Sequence, residues 1–565
     1  MALVGIDLGT TNSLIAVWQN DDVTVIPNAL GELLTPSVVS VDDDGSLLVG
    51  KAAVERLSTH PELSVAAFKR RMGSASEFSF GDKSLRVEEL SAIILKQLKE
   101  DAERFLNAPV EEAVISVPAY FNDVQRRATK AAAELAGLKL TKLINEPTAA
   151  AVAYGLTSKE QEQQFIVLDL GGGTFDVSLM ELFEGVMQVH ASAGDNFLGG
   201  EDFDELILKA LIDECGIKLE KLSHQQLSQL RKKAKEAKHG LEKAKTTTVS
   251  INTGKREQDW TLTVEHFEKL AQPLLERIRL PVERVLRDAK VSVNELDNVI
   301  LVGGSTRMPI IKQMVPRLFK RFPLAHIDPD QVVVRGAAIQ AALAKQDKAL
   351  QDIALTDVCP YTLGTEIVYE KGHNNFETGH FMPIIERNSF VPVSRVKRLY
   401  TVAENQEILR VAIYQGESRL VKNNVLLSEL EVKVPAGPAG EQAIDIRYTY
   451  DNNGMLEVIT TVISTGETKQ MVVKNHESSL SDEEIKARFA KLADLKVHPR
   501  DDLANRTLLA KAERLYEESL GQDRDTLAHF IQQFELILDE QDPEIVEKAR
   551  LEFSTLLNEI ERDIW

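Results

Sequence analysis

The sequence predicts a multidomain protein, in which an α/β domain is followed by an antiparallel β domain and then by a C-terminal α-helical bundle. This order is predicted from changes in the periodicity of the hydrophobic residues along the chain. Strand-like runs alternate with helical stretches up to about residue 349, and apolar residues alternate with polar ones from about residue 384. Helical spacing returns after residue 478.

The predicted domain boundaries follow these changes. The α/β domain covers 1–349, a linker covers 350–360, the β domain covers 361–478 and the helical part covers 479–565. The chain has 565 residues, which exceeds what one hydrophobic core usually supports, so its length also predicts several domains.

The composition is that of an ordinary globular protein. Hydrophobic residues make up 43% and charged residues 27% of the chain. No apolar run approaches the ~18 residues that cross a bilayer, and the N-terminus enters the first predicted strand directly, which leaves no room for a signal peptide. The two cysteines, Cys215 and Cys359, lack metal-ligand spacing, as in a reducing cytosol. We therefore expect a cytoplasmic protein without a membrane contact or a structural metal.

The formal net charge of −21 bears on possible partners. Such a charge repels phosphates and argues against general binding of nucleic acids. It also has a simpler explanation, because a large negative charge keeps a cytosolic protein in solution.

The α/β domain is predicted from short apolar runs and from longer stretches with helical periodicity. The candidate strands are 13–18, 113–117, 165–169, 176–182 and 298–302. The candidate helices are 88–106, 123–136, 147–155, 201–214, 225–245, 264–289 and 331–346.

Two segments of this domain share one pattern. Residues 4–17 and 166–179 each place an apolar run before Asp-Leu-Gly, a glycine- and hydroxyl-rich turn and a second apolar run. Each describes a strand, a tight loop and a returning strand, with Asp7 or Asp169 at the mouth of the loop. Glycine lets backbone amides approach phosphate oxygens, and carboxylates suit the water shell of Mg²⁺. The repeat predicts two halves that hold one nucleotide between them, although two plain β-turns would give the same pattern.

The residues predicted to face phosphate are glycines, which lack a Cβ, and threonines, which carry a hydroxyl group. They are Gly9, Thr10, Thr11, Gly171, Gly172, Gly173 and Thr174. No Gly-x-x-x-x-Gly-Lys-Ser/Thr sequence occurs, so the chain is not a P-loop NTPase.

Three further features are candidates for chemistry. The segment 302–307 follows an apolar strand, and its Arg307 would suit an adenosine face, but alone it equally fits a plain strand-to-helix turn. Glu146 precedes Pro147 at a predicted helix start, where its charge is stabilised and could orient an attacking water. Lys69 lies among basic residues and, taken alone, is predicted to be a solvated surface lysine.

The β domain and the tail are predicted from periodicity. Leu409, Val411 and Ile413 alternate with polar or small residues, and 451–454 forms a hairpin turn after a strand that contains Ile444. In the tail, Ser481 and Glu484 form a capping box. The apolar stripes that follow contain Ile485, Phe489, Leu492, Leu527, Phe530, Phe534, Leu538, Phe553, Leu556 and Ile560.

Several of these motifs closely resemble the seventy-kilodalton heat-shock chaperones of the DnaK type. The matching segments are 5–13, 117–123, 145–151, 169–176, 199–204 and 303–309. The resemblance is strong over the ATPase domain and linker, good over the β domain and weak over the tail. The short form resembles the specialised bacterial branch called HscC.

The resemblance implies an actin-like ATPase domain that binds ATP or ADP with Mg²⁺ and K⁺. It makes Lys69 the catalytic lysine and Glu146 the water-orienting glutamate. Asp7 and Asp169 match the shell of the two metal ions, and Thr174 matches the hydroxyl at the γ-phosphate. The nucleotide-binding residues that it implies are Gly9, Thr10, Thr11, Asn12, Gly171, Gly172, Gly173, Gly200, Lys238, Gly303, Gly304, Ser305, Arg307 and Asp330.

The resemblance also implies an allosteric link to a second site. Pro118, Arg126 and Asp357 match a switch that carries the nucleotide state to a β-sandwich, which binds stretched apolar peptides of unfolded clients. The residues implied in that site are Leu399, Leu409, Val411 and Ile444 in the pocket and Val368 and Val402 in the arch. Without the resemblance, alternating apolar residues are usually core. Hydrolysis of ATP would close a helical lid over the peptide. A J-domain co-chaperone would stimulate this hydrolysis.

Departures from the family's pattern predict specialisation. Lys235 replaces an acid and Glu242 replaces a serine on the adenosine-clamping helix, so we expect weaker ATP binding. The segment 72–88 is markedly shorter than the family's corresponding lobe, which predicts nucleotide exchange without the usual exchange factor.

Other departures concern coupling and clients. The linker 352–357 is less apolar than usual, which predicts weaker interdomain coupling. Leu409 replaces a valine and 369–380 is inserted beside the arch, so we expect a restricted set of clients. The chain ends at Trp565 without a long extension, which predicts a short lid.

Two other classes of function remain open at this point. A metabolic kinase on the same frame would use a carboxylate base such as Asp176, but it leaves the part beyond residue 384 unexplained. A binding module with an inactive ATPase would need the cleft to bind without turnover, which the presence of Lys69, Glu146 and Thr174 argues against.

Overall fold

The structure is a computed structural model, and the chain divides into two compact units. The residues that it describes are 2–42, 44–80, 83–155, 162–183, 186–252, 257–324, 327–345, 354–370, 376–451, 454–473, 498–519 and 522–564. The first unit contains Met1–Tyr361 and Arg387–Phe390, and the second contains Thr362–Glu386 and Val391–Trp565.

The first unit is an α/β structure. Its strands are β1 Ala2–Asp7, β2 Asn12–Gln19, β3 Asp22–Val25, β4 Thr35–Pro36, β5 Val38–Val41, β6 Leu47–Val49, β7 Ser64–Ala66, β8 Glu77–Phe80, β9 Lys83–Arg86, β10 Val110–Val117, β11 Lys139–Asn145, β12 Gln163–Leu170, β13 Phe175–Phe183, β14 Val186–Asp195, β15 Thr246–Asn252, β16 Glu257–Thr263, β17 Asn298–Val302 and β18 Ala354–Thr356. Its helices are α1 Lys51–Thr59, α2 Val87–Leu106, α3 Asp123–Leu135, α4 Glu146–Gly155, α5 Gly200–Glu214, α6 His224–Gly240, α7 Val264–Asp288, α8 Pro309–Phe319 and α9 Val332–Ala344.

Two large sheets of this unit repeat one arrangement. Their strand orders are β11-β10-β1-β2-β3, with β4 also paired to β2, and β17-β12-β13-β14-β18. Strands β1 and β12 each run antiparallel to the next strand in the chain and parallel to a later one. The repeated segments 4–17 and 166–179 therefore form equivalent hairpins, which place Asp7 and Asp169 at corresponding ends.

Small residues allow close packing between the two halves of this unit. Helices α4 and α9 contact each other, and α9 also packs on β1. A Cβ at Gly336 would overlap the backbone of Ala149, and one at Gly5 would overlap that of Ala338. The alanine-rich run that begins at Ala149 is thus explained by its buried position between the sheets.

The segment that leaves the α/β fold joins its second sheet as an edge strand. Strand β18 runs parallel to β14, with Leu355 opposite Met187. Ser192 of β14 donates its amide to the side-chain oxygen of Asn388 at 3.1 Å. The same edge is therefore paired with two separate segments of the first unit.

The second unit begins with two four-stranded antiparallel sheets. Their orders are β20-β19-β22-β23 and β21-β24-β25-β26. The strands are β19 Leu363–Glu370, β20 Phe376–Ile385, β21 Val393–Tyr400, β22 Ile408–Gln415, β23 Val425–Lys433, β24 Ala443–Tyr450, β25 Leu456–Val462 and β26 Thr468–Val473. The buried hydroxyl of Tyr448 donates to the carbonyl of Gly364 at 3.0 Å and so links the two sheets.

Three helices follow the sheets in the described part of the second unit. They are α10 Leu503–Glu518, α11 Gln522–Glu540 and α12 Pro543–Ile564. Their shared core contains Leu527, Phe534, Leu538 and Phe553, and the rings of Phe534 and Phe553 stack with their centroids 4.7 Å apart. The predicted second and third apolar stripes therefore pack on each other. The predicted capping box at Ser481 and the first stripe lie outside the described residues.

The observed elements correct the sequence predictions in two places. The helix predicted over 225–245 ends at Gly240, because glycine is a poor helix former and the next residues form a turn. The alternation expected from about residue 384 begins earlier, with β19 at Leu363. It escapes a period-two search because Leu363, Gly364 and Thr365 are all buried.

Each strand and helix that was predicted for the α/β domain is present, with ends that differ by a few residues. Within the described ranges, none of the helices combines the length and the apolar content that crossing a membrane requires.

Candidate nucleotide site

A cavity of about 340 Å³ lies in the first unit, between the two repeated hairpins. It is lined by the loops after β1 and β12, by the segment after β17 and by one side of α6. Every residue predicted at the nucleotide and its metal lines this cavity except Gly173. A Cβ at Gly173 would instead meet the side chains of Arg70 and Thr10 behind the loop.

The two loops approach each other closely. A Cβ at Gly172 would overlap the hydroxyl oxygen of Thr11 on the opposite loop. The carbonyls of Gly171 and Gly172 accept hydrogen bonds from the first amides of α5, those of Gly200 at 3.0 Å and Glu201 at 2.9 Å. These bonds fix the second loop on the N-terminus of α5.

A buried ion pair lies between the loops. The Lys69 Nζ and Glu146 Oε1 atoms are 2.9 Å apart, and the two residues are only 3% and 7% exposed. Glu146 is the first residue of α4, and Lys69 lies in a short 3-10 helix, 68–71. The prediction of a solvated surface lysine from the residues alone is therefore wrong. The prediction failed because Lys69 precedes two further basic residues, and such a run suggests a solvent-exposed segment. The burial of Lys69 alone could not be read from this run.

Three aspartates surround this pair. Burial, with the nearby charge of Glu146, raises the pKa of Asp7 to about 7. The same causes raise the pKa of Asp169 well above its usual range. Burial also raises the pKa of Asp176 to about 8, although this carboxylate accepts a hydrogen bond from the Tyr120 amide at 3.0 Å.

The residues present fit a divalent cation. Four carboxyl groups lie near one ammonium group, so the site holds an excess of acidic groups whose ionised forms lack compensation. Among the described residues, no three His, Cys, Asp or Glu side chains are arranged to hold a metal ion by themselves. A Mg²⁺ ion here would therefore keep water or phosphate ligands, as it does in many phosphate sites.

The far end of the cavity is lined by α6 and the turn that follows it. Lys238 pairs with Asp204 at 2.8 Å and donates to the Gly200 carbonyl at 2.9 Å. Lys238 is thus attached to the helix that supports the second phosphate loop. Glu242 lies one turn further along, in the turn after α6, with its Oε1 atom 2.8 Å from His239 Nδ1.

The segment after β17 faces this end. Gly303 has a φ of 82°, and a Cβ there would overlap the carbonyl of Leu170. The Arg307 guanidinium donates two hydrogen bonds to Asp330, at 3.1 and 2.7 Å, and one to Asp328 at 2.5 Å. Arg307 is therefore held by two carboxylates rather than standing alone as a cation.

Sequence reasoning missed two residues that bridge the halves of this unit. Arg70 donates to both carboxylate oxygens of Asp202, each at 3.1 Å. Asp202 also accepts from the amide of Gly199, so it caps α5 as well. Arg70 follows Lys69 directly and Asp202 lies in the motif 199–204, but nothing in their spacing indicates that they meet.

The predicted allosteric residues form a chain of hydrogen bonds. The Pro118 carbonyl accepts from the Phe121 amide at 3.1 Å, and Arg126 Nε donates to the Phe121 carbonyl at 3.0 Å. Arg126 also donates to Asn145 Oδ1 at 2.8 Å, and Asn145 Nδ2 donates to Asp357 Oδ2 at 2.9 Å. Asn145 immediately precedes the cavity residue Glu146, so the chain connects the cavity with the segment after β18.

The predicted peptide-binding residues lie in the second unit. Leu399 of β21 is opposite Ile444 of β24, and Leu409 and Val411 are buried on β22. Val368 lies near the end of β19 and Val402 lies beyond β21, where it is 39% exposed. Residues 352, 353 and 371–375, which belong to the predicted linker and insertion, are outside the described residues.

Comparison with known proteins identifies the family. The model of the family described as Hsp70 protein matches residues 3–80 and 75–564. The chaperone protein DnaK of Thermosipho melanesiensis is 39% identical over 573 residues, which cover 99% of this chain and 92% of the relative. The proteins of the same name from Thermosipho africanus and Thermotoga neapolitana are 42% and 41% identical, over 86% of this chain and 81% and 82% of their own lengths. The chain therefore belongs to the Hsp70 family, and it is an ATP-dependent molecular chaperone with ATPase activity.

Proposed function

We propose that ATP is hydrolysed in the cavity of the first unit and that Lys69 and Glu146 are its central catalytic groups. The observation that supports this most directly is the buried Lys69–Glu146 pair between the two glycine loops. A buried charge pair has a high desolvation cost, so its place in a phosphate-sized cavity favours a catalytic role.

Each residue has a defined task in this proposal. The backbone amides of the two loops and the hydroxyls of Thr10, Thr11 and Thr174 bind the phosphate oxygens. The Lys69 ammonium stabilises the charge that develops on the transferred phosphoryl group. Glu146 accepts a hydrogen bond from the attacking water and so orients it.

Asp7 and Asp169 hold the metal end of the site. Mg²⁺, when bound, would neutralise charge on the phosphates, and the family resemblance implies that these residues would also hold K⁺. The carboxylates of Asp7 and Asp169 would contact the water molecules around the ions. Ser116 fixes Asp7 by donating to its Oδ1 atom at 2.7 Å.

The nucleotide state is coupled to peptide binding in the second unit. The hydrogen bonds from Pro118 and Arg126 to Asp357 support such coupling, because they connect the cavity with the chain segment that leads to the β-sheets. Peptides of unfolded clients would bind along a sheet, with side chains in a pocket made by Leu399, Leu409, Val411 and Ile444, under an arch of Val368 and Val402. The domain boundaries 1–349, 350–360, 361–478 and 479–565 belong to this proposal.

The partners follow from the family. We expect a J-domain co-chaperone to stimulate hydrolysis, a restricted set of clients, and nucleotide exchange without the usual exchange factor. The relatives named above are DnaK proteins and give no support to the HscC branch, so that assignment stays a prediction. Neither Cys215 nor Cys359, both of which the structure describes, is in a disulfide bond, which favours a reducing compartment such as the cytoplasm.

The alternative of a metabolic kinase is excluded by membership of the Hsp70 family. A measurement of ATP hydrolysis is needed to distinguish an active ATPase from a module that binds ATP without hydrolysing it.

Single-turnover hydrolysis of ATP by the full chain tests the proposal. Replacing Lys69 by alanine or Glu146 by glutamine should slow hydrolysis at least about 100-fold, because each change removes a group that acts on the transition state. The matched control is Lys99→Ala, since the Lys99 ammonium donates to the carbonyl of the exposed residue Gly137 and does not line the cavity. Hydrolysis at the wild-type rate in Lys69→Ala would refute the assignment, and no hydrolysis by the wild type would indicate an inactive module.

A further inference from the structure

We propose that Glu242 makes the nucleoside end of the cavity able to bind guanine, so that this chain binds and hydrolyses GTP as well as ATP. The inference rests on the proposed function of the cavity, because it takes the position of the phosphates from the two glycine loops.

The order of residues along the cavity places Glu242 beside the base. The phosphate end is fixed by the loops at Gly9 and Gly171, and the Gly200 carbonyl ties Lys238 to that end. Glu242 lies one turn beyond Lys238, away from the loops, and it still lines the cavity. A nucleotide whose phosphates occupy the loops therefore places its base towards Glu242.

Apolar groups also line the cavity. Leu34, Pro329 and Val333 contribute their side chains to this lining. These side chains offer packing surface to any purine and do not distinguish one base from another. Discrimination between bases must therefore come from the polar groups that line the same cavity.

Glu242, Arg307 and Lys235 are charged groups in the lining of the cavity that bear on the choice of base. The Nε and Nη2 atoms of Arg307 are already bonded to Asp330 and Asp328. Glu242 has one oxygen bonded to His239, and its other oxygen has no hydrogen-bond partner among the residues that the structure describes. This second carboxylate oxygen is thus an acceptor that a base can use.

A carboxylate only accepts hydrogen bonds, and the two purines differ in what they donate. Guanine presents two adjacent donors, N1–H and the N2 amino group, which match both oxygens of a carboxylate. Adenine presents one donor, its N6 amino group, next to the lone pair of N1, which a carboxylate repels. A good bidentate pair is worth about 1–3 kcal/mol of discrimination between bases. Glu242 therefore favours guanine and reduces any difference in affinity by which the site would otherwise prefer an adenine nucleotide to a guanine nucleotide.

The hydrolysis step is the same for both nucleotides, because Lys69 and Glu146 contact only the phosphate end. A water oxygen bonds to the γ-phosphorus, the bond from that phosphorus to the β–γ bridging oxygen breaks, and GDP, phosphate and one proton are released. No co-reactant other than water is required.

Titration calorimetry of the full chain with Mg²⁺-ADP and Mg²⁺-GDP tests the proposal. The wild type should bind GDP with a Kd less than about tenfold above that for ADP. Glu242→Gln replaces one acceptor oxygen by a donor, and it should shift the GDP-to-ADP ratio of Kd values at least about tenfold towards ADP. The matched control is Glu236→Gln, an exposed residue of α6 that bonds Lys233 and lies outside this cavity.

The outcomes separate this inference from the function on which it rests. A wild-type preference for ADP of about tenfold or more, or a ratio that Glu242→Gln shifts by less than that, overturns the role of Glu242. If the wild type binds neither nucleotide, the assignment of the cavity itself fails. A melting curve of each variant without nucleotide shows whether it is folded, and Glu242→Ser serves as a second variant if Glu242→Gln is not.

Discussion

At the scale of single residues, the nucleotide cavity is distinguished by buried carboxyl groups that share one ammonium group. Asp7, Asp169, Asp176 and Glu146 all lie around Lys69. Water cannot stabilise their ionised forms at this depth, so the pKa values of the three aspartates are raised. Protonation of these aspartates is therefore favoured, and a bound cation would displace the protons.

This arrangement predicts that Mg²⁺-nucleotide binding releases protons near neutral pH. The pKa of Asp7 is raised from 3.8 to about 7 and that of Asp176 to about 8, so both are partly protonated at pH 7. A cation favours the ionised forms, so the affinity for Mg²⁺-ADP should rise as the pH rises from 6 to 8. Calorimetry in buffers of different ionisation enthalpy measures the number of protons released.

Asp7→Asn should release fewer protons than the wild type, whereas Asp44→Asn, at an exposed turn, should release the same number. Affinity and proton release that do not vary between pH 6 and 8 would contradict the raised pKa values.

The raised pKa of Asp7 also affects the stability of the protein, and the sign of this effect follows from the direction of the shift. Between the unfolded pKa of Asp7, near 3.8, and the folded value of about 7, the folded chain holds a proton that the unfolded chain has lost. The free energy of unfolding therefore falls as the pH rises through this window.

Single residues also show the limit of prediction from sequence. Glycine and threonine at the loops are informative because a close approach to phosphate requires them. Lys69 is not informative by itself, since its environment depends on Glu146, which is distant in the chain. The bridge between Arg70 and Asp202 was missed for the same reason.

At the scale of elements, the β-strands of the second unit position the predicted peptide pocket. Leu409 is 8% exposed and lies opposite Val432 on β23. Its side chain is larger than the valine that it replaces in the family pattern, and the extra methylene narrows any pocket that it lines.

Leu409→Val should therefore broaden the set of peptides that the protein binds on a peptide array. The change removes one methylene group and costs about 1 kcal/mol of stability at a buried site. Leu430→Val is the matched control, because Leu430 is equally buried on the neighbouring strand, opposite Val411. The control should lose similar stability and keep the wild-type profile. An unchanged profile in Leu409→Val would remove the argument for restricted clients.

Elements whose hydrophobic residues follow one clear period were predicted well. Elements that are buried on both faces, or whose pattern continues past their end, were not. The hairpins at β1–β2 and β12–β13 have an apolar run on each side of a glycine turn, so both strands and the loop were found. Strand β19 is buried on both faces near its start and gave no alternating signal. The end of α6 was missed because lysines and Glu242 continue the helical pattern beyond Gly240.

At the scale of the whole molecule, the predicted nucleotide cavity lies between the two halves of the first unit. The described part of the segment 72–88, which is predicted to be short, contains a small two-stranded sheet of β8 and β9. On the prediction that this segment is short, an exchange factor would have little surface to contact here.

ADP release from the full chain should consequently be insensitive to the usual exchange factor. Stopped-flow displacement of a fluorescent ADP measures the rate with and without that factor. A DnaK relative provides the positive control, since the same factor preparation must accelerate it. Strong acceleration of release from this chain would show that the short segment does not decide exchange.

The docking of β18 on β14 has a consequence for how this chaperone protects itself. Whenever residues 354–356 leave that rim, the amides and carbonyls at 186–188 lose their partners. A bare rim of this kind recruits stray strands from other chains. While it is paired, β18 therefore covers a sheet edge of the first unit that strands of other chains could otherwise join.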